Sequence, residues 1–179
     1  MKQSQKIAYG GLITALASVM MIASNFTPSM LFSFPTLAGI VIYTLSFISG
    51  GSYAWISYGA VSLLSFFLCG SKAVSLCFIV FLGYYPLLKK QLEKLRIKVF
   101  AYVMKLLIFN AAAAVIYVIL LFVFSSPVFS KWTNELWMII LLIMALNIIF
   151  LIYDICLTLF FRKYEEKIYN IVIKLLRRF

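Results

Sequence analysis

Lys89-Lys90-Gln91-Leu92-Glu93-Lys94-Leu95-Arg96-Ile97-Lys98 is a strongly basic segment set between two long apolar runs, residues 73–88 and 100–124. An apolar run of about 20 residues crosses the ~30 Å hydrocarbon core of a bilayer as a helix. A basic segment between two such runs has its natural place at the headgroups, and here Leu92 and Leu95 fall on one side of a helical turn, with Ile97 close after them. The reading is two membrane spans joined by a surface segment.

Working back from this segment, residues 52–68 form another apolar run, separated from 73–88 by the turn Cys69-Gly70-Ser71-Lys72. Gly50-Gly51 breaks the chain before it, and residues 35–48 form a shorter run opened by Pro35, which fits a first helical turn because its missing N–H needs no partner there. An uncharged loop with the turn-forming Thr27-Pro28-Ser29 precedes that run. The first run, 7–23, follows Lys2 and Lys6 and reads either as a span or as a signal peptide. Ile22-Ala23-Ser24 is a poor match to a cleavage site and further spans follow, so a retained helix is expected. Pro86 is expected to end or kink the fourth span.

Working forward, Ser125-Ser126-Pro127 opens a loop through Lys131, Trp132, Thr133 and Asn134, and 136–161 is the sixth run. The tail, 162–179, mixes six Lys and Arg residues with Ile168, Ile171, Val172 and Leu175 at helical spacing, as in a second amphipathic surface helix. The expected architecture is an all-α membrane protein, one integral domain over 1–179. It is a six-transmembrane-helix bundle with both termini cytoplasmic and with basic amphipathic surface segments. The charges orient it: with the amino terminus inside, the opposite loops keep only Lys72 and Lys131.

Composition supports lipid as the solvent. Of 179 residues 65% are hydrophobic and 12% charged, about half the charged share of a soluble domain. The net charge of +11 sits in short clusters between apolar runs, a pattern of topology and anionic-lipid attraction and not of a nucleic-acid surface. Cys69, Cys77 and Cys156 form no CxxC pair and the chain has no histidine, which speaks against a zinc site, a disulfide framework and triad hydrolysis. No P-loop, GxSxG elbow, HExxH or paired-carboxylate motif occurs. Neither an enzyme nor a cofactor or metal site is expected.

A polar side chain inside a span is costly and is a functional candidate by default. Lys105 and Asp154 lie at similar depths in the fifth and sixth spans, roughly 10 Å inside the boundary at 1.5 Å per residue. They read as a structural pair, with Lys105 snorkelling, or as a coupling contact. Asn147 lies two turns before Asp154 on the same face, with Asn110 at comparable depth in span five. These read as cross-helix glue or as ligand contacts. In the first span Gly11 and Ala15 have small-xxx-small spacing beside the line Gly10, Thr14, Ser18; such a face packs within the bundle or docks a partner. Tyr84, Tyr85 and Trp137 read as belt aromatics.

The first helix Lys6-Ile7-Ala8-Tyr9-Gly10-Gly11-Leu12-Ile13-Thr14-Ala15-Leu16, the uncharged first outer loop, the six-span layout and Phe81-Leu82-Gly83-Tyr84-Tyr85-Pro86-Leu87-Leu88-Lys89 together resemble the substrate-binding S components of energy-coupling factor transporters. The likeness is one of pattern and is best up to Phe124. It implies a bacterial plasma-membrane protein that captures a vitamin or related micronutrient and associates with a membrane scaffold subunit and two ATPase subunits. By the same resemblance Asn25, Thr27, Ser29, Lys72, Ser75, Trp132, Asn134, Trp137 and Asn147 would face the substrate. Gly11 and Ala15 would occupy the family's alanine-x3-alanine docking face, with a glycine in place of one alanine. The absence of histidine argues against a nickel or cobalt substrate. Two other readings stand beside it: a structural or assembly protein that binds a partner or anionic lipid, and an ion-coupled transporter using Asp154.

Overall fold

The structure, a computed structural model, describes residues 3–27, 31–93, 98–122 and 136–176. Among these residues every regular element is helical: α1 (Gln3–Ala23), α2 (Ser33–Ile48), α3 (Gly51–Leu68), α4 (Lys72–Cys77), a π-helical segment (Phe78–Leu82), α5 (Tyr85–Leu92), α6 (Lys98–Phe122) and α7 (Leu136–Leu176). Five stretches have the length and apolar composition of membrane-crossing helices: Gln3–Ala23, Gly51–Leu68, Lys72–Leu92, Lys98–Ile119 and Ile140–Lys163. The remaining apolar helix, α2, is shorter at 16 residues. By length and composition these helices are compatible with a multi-pass membrane protein.

The chain divides into two compact units, residues 1–96 with 167–179, and residues 97–166. In the first, α1, α2, α3 and a fourth rod made of α4, the π segment and α5 bury one apolar stripe each. Ile13, Ala17 and Met21 of α1 meet a core that includes Ala38, Ile42 and Leu45 of α2, Ala54 and Val61 of α3, and Val74, Phe78 and Tyr85 of the fourth rod. Spacings of three, four and seven residues put the α1, α2 and α3 sets each on a single helix face. Tyr85 is fully buried, with its ring 4.7 Å from that of Phe81, so it is a core residue and not a belt aromatic.

Polar contacts at the rod ends fix their directions. Ser49 Oγ, just past α2, donates to the Lys6 carbonyl near the start of α1 (3.4 Å), and Lys90 Nζ of α5 lies 3.3 Å from Ser46 Oγ and 3.6 Å from the Phe47 ring centroid. At the other end Gly70 N–H, past α3, donates to Asn25 Oδ1, past α1 (2.9 Å). The four rods therefore alternate in direction. Gly50, with φ +99°, makes the reversal between α2 and α3, a conformation that costs glycine little.

The fourth rod is not one regular helix. Pro86 sits in the first turn of α5, which agrees with the expected break, but the π segment before it carries no composition signal. In the second unit α6 and α7 pair antiparallel, as the partners Lys105–Asp154, Phe109–Phe150 and Asn110–Asn147 require. Two expectations about basic segments change. Residues 162–176 continue α7 instead of starting a separate surface helix, since no glycine or proline interrupts 136–176. Likewise Lys89 to Leu92 complete α5, while 94–97 lie outside the described residues.

Candidate functional site

The α6–α7 pair carries a polar seam through an apolar hairpin. Lys105 Nζ lies 3.0 Å from Asp154 Oδ2 and 3.3 Å from Oδ1, and both residues are buried. In an apolar surrounding neither charge is tolerable alone, and the contact neutralises both. The Lys105 ammonium also lies 5.4 Å from the Tyr102 ring centroid, and Thr158 Oγ1 donates to the Asp154 main-chain carbonyl (2.8 Å). One turn along, Phe109 and Phe150 stack face to face with centroids 4.5 Å apart.

Beyond the stacked rings, Asn110 and Asn147 exchange amide bonds: Asn110 Nδ2 donates to Asn147 Oδ1 (3.1 Å) and Asn147 Nδ2 to Asn110 Oδ1 (3.2 Å). Each Nδ2 also donates to the carbonyl four residues earlier, Leu106 or Ile143, at 2.9 Å. An amide has two N–H donors. Both donors of both residues are thus used within the hairpin, which favours the glue reading of this pair over ligand contact.

A second polar cluster closes one end of the first unit. Asn25 Oδ1 accepts from the Gly70 N–H and from Cys69 Sγ (3.3 Å); Cys69 Sγ also lies 3.4 Å from the Met21 carbonyl and 3.6 Å from Ser24 Oγ. Lys72 Nζ donates to the Phe66 carbonyl (2.7 Å) in the last turn of α3, where a cation complements the helix dipole. Ser75, fully buried, donates to the Ser65 carbonyl (2.9 Å). Asn25, Lys72 and Ser75 thus gather at one end, tying α1, α3 and α4 together. Thr27 Oγ1 turns back to the Ala23 carbonyl (3.3 Å).

Trp137 and Asn147 belong to the second unit, and the Trp137 side chain is exposed. Ser29, Trp132 and Asn134 lie outside the described residues. On α1, Gly11 and Ala15 face away from the core formed by Ile13, Ala17 and Met21. Both are exposed, and a Cβ built on Gly11 meets nothing within 4 Å. Among the described residues no three His, Cys, Asp or Glu side chains gather as metal ligands.

One contact escaped the sequence reading. Tyr58 of α3 donates its hydroxyl to the Ile79 carbonyl inside the π segment (2.5 Å). A tyrosine in the middle of an apolar span was itself the available signal, because a phenol O–H shielded from water needs an acceptor. Compared with protein-family models, curated proteins and solved structures, the chain matches none.

Proposed function

We propose that this chain is the membrane-embedded substrate-capture subunit of an energy-coupling factor type importer for a vitamin or related micronutrient. It crosses a bacterial plasma membrane six times with both ends in the cytoplasm. The observation that carries this reading is the open Gly11–Ala15 line on α1. The helix packs against its own bundle through Ile13, Ala17 and Met21 and leaves its small-residue face uncovered, as docking onto a helical scaffold subunit requires. The six-span count draws support from the direction of α2, whose carboxyl end meets the start of α1, so that it runs antiparallel to α1 within the same unit.

A second reading, a structural or assembly membrane protein, is favoured by a different observation. Asn25, Lys72, Ser75 and Asn147, four of the residues expected to face substrate, all spend hydrogen bonds on holding helices together. Native mass spectrometry of the protein purified in mild detergent separates the two. The capture subunit carries a bound small molecule and copurifies with a scaffold subunit and two ATPases. A protein that arrives with neither sinks the first reading.

A further inference from the structure

Within the π segment the Gly83 N–H donates to the Phe78 carbonyl five residues back (2.8 Å). In an α-helix that N–H would serve the Ile79 carbonyl four residues back. Here the Ile79 carbonyl accepts the Tyr58 hydroxyl instead. The neighbouring residues are suited to this exchange. A Cβ at Gly83 would lie 2.8 Å from the Tyr58 ring, 2.9 Å from the Phe78 ring and 2.9 Å from the Phe78 carbonyl, so only glycine lets the phenol lie across the turn. Pro86 has no N–H to give the Leu82 carbonyl, and that carbonyl lies where a Cβ on Gly39 of α2 would be.

We propose that the Phe78–Leu82 segment is a two-register joint, held in its π register by Tyr58, that sets the rotation of α5 and hence the placement of Lys90 against α2. The Tyr58 hydroxyl lies on the carbonyl that the Gly83 N–H would use in an α-helix, and its ring lies where that turn would tighten. If the amide takes it back, the segment becomes α-helical and every later residue advances by one place, a turn of about 100° and a rise of about 1.5 Å. Lys90 then leaves the Phe47 ring, and the buried Leu92 moves to the exposed place now held by Glu93. π turns inside α-helices are frequent at functional sites, and this one lies between a packed bundle core and a lysine-bearing end.

The test reads the register by thiol labelling in membranes, with Cys69→Ser, Cys77→Ser and Cys156→Ser as background. Leu92→Cys reports a buried place and Gln91→Cys an exposed one. Tyr58→Phe removes one part-buried hydrogen bond and should raise labelling at 92 about fivefold, without raising it at 91. Deleting Val80 in the Tyr58→Phe protein removes the extra residue of the π turn and should return 92 toward its original protection. A general loosening of the bundle would not be repaired by a deletion. Unchanged labelling at 92 in Tyr58→Phe, a rise at both positions, or a deletion variant that labels at 92 as fast as Tyr58→Phe alone overturns the proposal.

Discussion

Lys105 Nζ and Asp154 Oδ2 meet at 3.0 Å between α6 and α7, with side chains only 6% and 5% exposed. The contact makes the cost of losing one partner different from the cost of losing both. Asp154→Asn strands an ammonium in apolar surroundings and should destabilise the protein by about 3 kcal/mol. The double variant Lys105→Met with Asp154→Leu removes both charges and should lie within about 1 kcal/mol of the parent. Unfolding titrations in mixed micelles measure both. A double variant as unstable as the single one would show that something other than charge compensation is at stake.

Asn25 offers a choice between a structural and a ligand-facing role. Its Oδ1 accepts from the Gly70 N–H at 2.9 Å and from Cys69 Sγ at 3.3 Å, joining the ends of α1 and α3. Asn25→Ala leaves both donors without this acceptor and should lower stability by about 1 kcal/mol. Asn25→Asp keeps an acceptor oxygen and should retain most of it. If Asn25→Ala melts with the parent yet loses a copurifying small molecule, the residue faces a ligand and not the helix ends.

The helices of the first unit were legible in the sequence because residues that stop helices fall between the apolar runs, whereas nothing stops the run from 136 and α7 continues through 162–176. Gly50-Gly51 and Cys69-Gly70-Ser71 fall where α2 ends and where α3 gives way to α4. Lys105, Asp154, Asn110 and Asn147 were legible as well, since a polar side chain within an apolar run needs a partner and matched depth points to one. The π segment was not. Phe78-Ile79-Val80-Phe81-Leu82 has the composition of any buried helix, and its register is decided by Tyr58, twenty-one residues away. The open side of Gly11 was also hidden, because small-xxx-small spacing is the same whether a helix packs inward or outward.

Gly39 and Gly11 should respond oppositely to one methyl group. At Gly39 a Cβ collides with the Leu82 carbonyl, a backbone atom that cannot swing aside, whereas at Gly11 a Cβ meets nothing within 4 Å. Gly39→Ala should cost about 2 kcal/mol through overpacking. Gly11→Ala should leave stability unchanged or raise it by up to about 1 kcal/mol through helix propensity. Thermal melts in detergent compare them directly. Equal losses would mean that the Gly11 face is covered in the folded protein.

The number of crossings turns on α2. Its 16 residues make a rod of about 24 Å at 1.5 Å per residue, several ångströms short of a ~30 Å hydrocarbon core. A shortfall of that size is met by local thinning at a fraction of a kcal/mol per ångström, which packed neighbours readily offset. Since Ser49 reaches the Lys6 carbonyl and Lys90 reaches Ser46, the start of α1 and the end of α5 should share one side of the membrane, with Lys72 on the other. An impermeant thiol reagent added to intact cells should therefore label Lys72→Cys and spare Lys6→Cys and Gln91→Cys, and inside-out vesicles should reverse the pattern. Finding positions 6 and 91 on opposite sides would show that α2 does not cross.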